Sequence, residues 1–208
     1  YRGYDSFGWT NCDLSPQKFV GPISKVKYEG YCMVESTCTI AHTRWATHGQ
    51  VSLQNTHPHL SNNNEFAVVH NGVISNYKEL KNTLIEAGYE FRSETDTEVI
   101  ATYLQLLYFL FWDSSFENCL FKLMEELKGE FAVCIINRSS PDKIYAFRSG
   151  SPLIAACSSK DYALFTSDSL ALPVGIETYI PIYEKELAIL EKTSGSFSVT
   201  FKSKTHAV

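Results

Sequence analysis

A layered α+β domain, with sheets packed together and helices covering them, is the fold class this sequence predicts, and two observations predict it. Apolar residues recur at helical spacing between residues 76 and 128. Both flanks instead break into short runs rich in Val, Ile, Phe and Tyr, separated by Gly, Pro, Ser and Asp. Helices gathered between strand-rich ends point to sheet-on-sheet packing under a helical cover. With 208 residues and 44% hydrophobic content the chain can build one substantial core, so residues 1–190 read as a single domain. Residues 191–208, rich in Ser, Thr and Lys, read as a last strand, a linker or a tail.

In chain order, residues 1–9 read as a turn entering a strand, because two glycines flank small polar residues before Trp9. Pro16, Gly21, Pro22 and Gly30 punctuate residues 11–37 into loop with short ordered pieces. Residues 39–42 form a short strand. Residues 66–70 form an apolar strand that stops at Asn71-Gly72, a pair tolerant of positive φ, with Val73 and Ile74 as hairpin partner or extension. Leu80, Leu84 and Ala87 mark a helix that Asn76 caps, with Glu79 three residues on and Gly88 at its end. Residues 89–91 read as a short strand. Residues 97–112, apolar nearly all round, predict a helix sandwiched between layers. A third helix covers 115–128, with Phe116, Leu120, Leu123 and Leu127 on one face. Strands at 130–137, 143–148, 153–157 and 162–166 read as an antiparallel meander, followed by a short helix at 169–172 and strands near 178–183 and 187–190.

A net charge of −5 without a basic run argues against nucleic acid or an anionic membrane as the main partner. The apolar run at 103–112 is shorter than the roughly 20 residues a bilayer span needs. The six cysteines (Cys12, Cys32, Cys38, Cys119, Cys134 and Cys157) show neither a C-x-x-C pair nor zinc-like spacing with histidine, so no metal site is expected. Cys134 and Cys157 lie in apolar runs and read as buried reduced thiols, which suits the cytoplasm.

Three stretches carry residue types suited to one binding site. In Ala41-His42-Thr43-Arg44-Trp45-Ala46-Thr47-His48-Gly49, an arginine able to grip a carboxylate through two charge-assisted hydrogen bonds stands beside Thr47 and His48 donors in a Gly-ended loop. His70-Asn71-Gly72 offers an amide side chain and a backbone N–H at the end of a strand. Ser93-Glu94-Thr95-Asp96-Thr97-Glu98 crowds carboxylates and hydroxyls at a helix start, where Asp96 or a neighbour can cap the helix or bind an ammonium group. Taken singly, each has a plainer reading: a surface ion pair for Arg44, a hairpin turn for Asn71-Gly72, a helix cap for Asp96 and a satisfied polar residue for His48. His57, His59 and His70 read as structural.

Tyr1-Arg2-Gly3-Tyr4-Asp5-Ser6, the Ala41 to Gly49 string, His57-Pro58-His59, His70-Asn71-Gly72, Ser93 to Glu98, Arg148 to Leu153 and Ser167 to Leu172 together resemble the glutaminase domain of the glutamine-fructose-6-phosphate aminotransferases, in order and over most of the chain. The resemblance implies a four-layer αββα sandwich of the N-terminal-nucleophile hydrolase type, with two antiparallel sheets covered by helices. It implies class II glutamine amidotransferase activity without a cofactor: ammonia released from L-glutamine, with L-glutamate as product, and used to make glucosamine 6-phosphate. Carried over residue by residue, Arg44 holds the glutamine α-carboxylate with Thr47, His48 and Gly72 beside it, and Asp96 pairs with the α-ammonium. Asn71 and the Gly72 N–H form the oxyanion hole. Trp45 and His57 match positions near active-site loops or an interface, with no chemical step assigned.

The nucleophile the resemblance implies is a cysteine at the mature N-terminus, ahead of the Tyr-Arg-Gly-Tyr-Asp-Ser string with which this chain begins. Cys12 follows that string without a free α-amine and does not suit the role. The expectation is therefore of a glutaminase domain lacking its first strand, with a gap in one sheet and an exposed edge. The partner implied is a sugar-phosphate isomerase domain acting on fructose 6-phosphate, in a full-length homo-oligomer. The alternatives are a glutamine-binding domain without catalysis, or a class II amidotransferase with another acceptor such as phosphoribosyl pyrophosphate.

Overall fold

The computed structural model describes residues 3–25, 38–46, 49–158, 162–174, 176 and 179–204. β1 (Ser6–Asn11) lies between β2 (Gln17–Val20) and β3 (Thr39–Arg44) in an antiparallel three-stranded sheet. Then come β4 (His59–Leu60), β5 (Phe66–Ile74), and three helices: α1 (Tyr77–Glu86), α2 (Asp96–Leu110) and α3 (Phe116–Glu126). β6 (Gly129–Asn137) and β7 (Lys143–Ser149) return to the sheet of β5. β8 (Ile154–Ser158), β9 (Tyr162–Thr166) and β10 (Ile180–Pro181) form a second three-stranded sheet, ordered β10-β8-β9. β11 (Glu186–Thr193) and β12 (Ser196–Ser203) complete a six-stranded sheet, ordered β12-β11-β7-β6-β5-β4.

The period-2 alternation of a strand decides which layer each residue meets. Phe66, Val68 and Ile74 of β5, with Phe131, Val133 and Ile135 of β6, face the helices and join Val99, Ile100, Leu104, Leu120 and Leu123 in the main core. Leu104 is fully buried, and truncation of such a leucine to alanine typically costs about 2–5 kcal/mol. On the opposite face, Ala67, Val69 and Ile136 pack on Leu14, Cys38 and Ile40 from the first small sheet. Ala132, Ala146 and Ala188 pack on Leu153 and Ile182 beside the second. The result is an α+β sandwich in which all three described α-helices cover the large sheet and the two small sheets cover its other face. Each small sheet ends on an edge, β3 and β9, that pairs with no further strand among the described residues.

Several local expectations need correction. Of the two readings of Val73 and Ile74, the extension holds and the hairpin does not: β5 pairs with β6 in register from Phe66 opposite Asn137 to Ile74 opposite Gly129. Glycine is required at 72 for close approach, not for a turn. Its φ is +124°, and a Cβ there would stand 2.1 Å from the Glu130 carbonyl oxygen and 2.8 Å from Phe131 Cα. Asn76 makes no side-chain cap. Its amide bridges to the Glu126 carbonyl at 2.9 Å and accepts from the Lys128 N–H at 3.0 Å, tying α1 to the end of α3. Residues 89–91 form no strand, because the Glu90 backbone is satisfied by the Asn62 side chain at 2.8 and 3.0 Å. The four strands from β6 to β9 are not one meander but two hairpins in different sheets. Cys157 is exposed on β8, where its thiol donates to the Phe197 carbonyl at 3.4 Å. No helix among the described residues is long and apolar enough to cross a membrane.

Candidate active site

The two small sheets and the large one enclose a cleft of about 930 Å³. Arg44, Trp45, His57, Asn71, Gly72 and Asp96 all line it, so six of the residues singled out in the sequence come together. Thr47 and His48 lie outside the described residues.

Arg44 ends β3 and is 5% exposed. Burial lowers its pKa from the usual guanidinium value, and the carboxylates of Asp5, Asp96 and Glu94 oppose that effect. The backbone around it is pinned by Asp5, whose carboxylate accepts from the Ala46 N–H at 2.8 Å and whose own N–H donates to the Arg44 carbonyl at 3.3 Å. Trp45 is exposed and packs its ring on Tyr4, 5.3 Å between centroids.

Alternation along β5 turns His70 toward α2 and Asn71 into the cleft. Asn71 and Gly72 are exposed there, and among the described residues the Asn71 amide has no hydrogen-bond partner, which leaves its N–H groups available. Asp96 is the first residue of α2, but it does not cap the helix. Thr95 does so, its hydroxyl accepting from the Glu98 N–H at 3.3 Å. Asp96 is thereby released to face the cleft, with one oxygen accepting from the Ile74 N–H at 2.9 Å and the other 3.5 Å from His70 Nδ1. Burial alone would raise the Asp96 carboxyl. The hydrogen bond and charge of His70 and the Ile74 N–H outweigh it and hold the group below the usual carboxylate range.

Under this surface lies a buried polar layer that sequence reasoning did not resolve. Thr97 Oγ1 is 3.2 Å from His57 Nε2 and 3.1 Å from His70 Nδ1, and Thr95 Oγ1 is 3.1 Å from His59 Nε2. The His57 ring stacks on His42 at 4.3 Å and its Nδ1 accepts from the His70 N–H at 3.4 Å. Burial drives the pKa of His42 down to about 3 and those of His57 and His59 well below the ordinary histidine value, with neighbouring positive groups adding to it. These imidazoles are neutral at physiological pH. His42, His57 and His70 also line the cleft, whereas His59 lies behind it. No cluster of three His, Cys, Asp or Glu able to hold a metal occurs among the described residues. Asp5 and Thr97 stood in the strings already quoted without an assigned role. Asn55, discussed below, carried no signal.

The cleft thus carries a guanidinium, a carboxylate and, among the described residues, an amide side chain without a partner on its walls. Comparison with known proteins agrees with that design. The glutamine amidotransferase domain family matches residues 42–174. The glutamine--fructose-6-phosphate aminotransferase [isomerizing] of Clostridium perfringens is 38% identical over 196 residues, 91% of this chain and 31% of that protein. Its namesake in Francisella tularensis is 41% identical over 201 residues, 92% and 32% of the two chains. The chain thus spans about a third of the length of the curated relatives it matches. Among solved structures, the glutamine phosphoribosylpyrophosphate amidotransferase of B. subtilis complexed with ADP and GMP superposes with a TM-score of 0.76 at 23% identity, covering 96% of this chain and 43% of that one. That likeness establishes the fold.

Proposed function

Because the chain belongs to the glutamine amidotransferase domain family, we propose that it binds L-glutamine in this cleft and is the ammonia-releasing part of a cytoplasmic glutamine-fructose-6-phosphate aminotransferase. The observation that carries the reading is the convergence of Arg44, Asp96, Asn71 and Gly72 on one cleft. The α-carboxylate lies on Arg44 and the α-ammonium on Asp96, an anion at neutral pH. The carboxamide then extends toward Asn71 and Gly72.

Attack of a thiolate on the carboxamide carbon places negative charge on its oxygen. The Asn71 amide and the Gly72 backbone N–H stabilise that charge, one such donor typically lowering the barrier by about 2.7–4 kcal/mol. Collapse breaks the C–N bond and releases ammonia, and water then hydrolyses the thioester to L-glutamate. Cys134, Cys12 and Cys119 do not suit the attack. Cys134 lines the cleft, but burial pushes its thiol up to about 12. Cys12 packs on the cluster of Leu14, Cys38 and Ile40, and Cys119 sits in the main core. In this reading the thiol belongs to a cysteine activated by an N-terminal amine, as the resemblance implies. The acceptor is fructose 6-phosphate on an isomerase domain of the full-length homo-oligomer.

Calorimetric titration with L-glutamine and L-glutamate tests the site. Saturable binding is expected, weakened at least about tenfold in Arg44→Lys, because an ammonium cannot reproduce the bidentate fork. Absence of binding by the parent chain, or equal binding by the variant, overturns the assignment.

A further inference from the structure

Asn55 and Glu94 stand 39 residues apart, outside the set above, and hold each other reciprocally. Asn55 Nδ2 donates to Glu94 Oε2 at 3.0 Å, and the Glu94 backbone N–H donates to Asn55 Oδ1 at 2.9 Å. The same two side chains grip the Gln50 backbone from both sides. Its N–H donates to Glu94 Oε2 at 3.2 Å, and its carbonyl accepts from Asn55 Nδ2 at 2.9 Å. That carbonyl also accepts from Arg44 Nη1 at 3.4 Å. The orientation of the Asn55 amide is unambiguous, since its nitrogen faces two acceptors and its oxygen faces an N–H. Asn55 is 3% exposed, while Glu94 and Gln50 reach it from the surface. Gly49 packs on the pair. At φ +76° its missing Cβ would lie 2.9 Å from Asn55 Nδ2 and 3.1 Å from Glu94 Oε2, so any side chain there wedges the contact apart.

The placement matters because the two ends of this bridge touch the two charged partners of the cleft. Glu94 is two residues before Asp96, on the turn that Thr95 fixes as it caps α2. Gln50 reaches the Arg44 guanidinium itself. We propose that the Asn55–Glu94 pair is a positioning latch that sets the separation of Arg44 from Asp96, and so selects ligands carrying a carboxylate and an ammonium on the same carbon. The proposal rests on the reading of the cleft as an amino-acid site and deepens it. A zwitterion demands both charges at one fixed spacing, whereas a ligand with only one of them tolerates drift between the two. The backbone of Arg44 is held separately, by β1–β3 pairing and by Asp5, so release of the latch leaves the fold in place.

The test is calorimetry of the parent chain and of Asn55→Ala, Asn55→Asp, Glu94→Gln and the Asn55→Asp/Glu94→Gln double variant. The probes are L-glutamate, glutarate (which lacks the amine) and 4-aminobutyrate (which lacks the α-carboxylate), with a thermal melt of each variant. Asn55→Ala is expected to weaken L-glutamate about tenfold, the scale of one hydrogen bond to a charged group, and to change the two analogues less than about twofold. Asn55→Asp is expected to weaken it further by setting two carboxylates face to face. Adding Glu94→Gln recovers part of that further loss, because the new amide removes the repulsion between the two carboxylates while the Gln50 carbonyl still lacks its amide donor. Unchanged L-glutamate affinity in the latch variants, equal loss for all three ligands with a lowered melting temperature, or no rescue overturns the latch alone. A parent chain that does not bind L-glutamate overturns the amino-acid reading and the latch with it.

Discussion

At its start α2 buries polar groups, and at its end the same helix leaves apolar ones in solvent. Thr95, Thr97, Glu98 and the preceding Ser93 are all buried, and each makes hydrogen bonds: Glu98 alone accepts from the Arg92 N–H at 2.9 Å, the Ser93 N–H at 2.6 Å and the Ser93 hydroxyl at 2.6 Å. Phe109, Leu110, Phe111 and Trp112, by contrast, are between 40% and 80% exposed. Burying a polar group is unfavourable unless every bond is made, so the polar end tolerates one geometry. Apolar side chains in water impose none. The difference teaches where this molecule invests precision: the constrained end presents Asp96 to the cleft, and the loose end positions nothing there.

Acid should break the constrained end selectively, and with the largest effect. Burial holds His42, His57 and His59 below the ordinary histidine value of 6.5, His42 down to about 3. The unfolded chain therefore takes up protons near pH 6.5 that the folded chain refuses. Stability is full above pH 6.5 and declines as the pH falls toward the folded values, by up to about 1.4 kcal/mol per pH unit for each histidine. Asp96, also depressed, adds a loss of the same sign at still lower pH. Unfolding free energies from urea titrations at pH 7 to 4 are expected to fall by several kcal/mol in total. A flat profile would mean that the imidazoles are open to solvent.

A single substitution sharpens the contrast next. Glu98→Ala removes the shared acceptor of the Arg92 and Ser93 N–H groups and the Ser93 hydroxyl and should cost about 3 kcal/mol by urea unfolding. A cost below about 1 kcal/mol would show that water replaces the carboxylate there. At the other end, Trp112→Ser should shift stability by no more than about 0.5 kcal/mol. A larger loss would show that the exposed indole packs after all.

Much of this architecture was legible because it is local. The all-round apolar run of α2, the apolar face of α3 and the apolar runs of β5 and β6 all follow from neighbours within a few residues. Where a residue answers to a distant partner, the sequence misleads. Gly72 tolerates positive φ for a turn or for a close strand, and only Phe131 and Glu130 decide which. Asn76 had the spacing of a cap but is claimed by Glu126 and Lys128. The same applies to the site. Arg44, Asn71 and Asp96 stand in recognisable strings, whereas Asn55 sits in a polar stretch without periodicity and acquires meaning only when folding brings Glu94 to it.

The lining of the cleft comes from residues 41–45, 69–73, 95–97 and 165–168, stretches that meet only in the finished fold. Any molecule seated there acts as a clasp across the chain, since it binds the assembled walls and not the separate pieces. Its binding energy is then shared by the whole domain: at a hundred times its dissociation constant it adds about 2.7 kcal/mol to global stability. Occupancy and resistance to proteolysis consequently rise together, so the lifetime of this domain is tied to the abundance of what it binds.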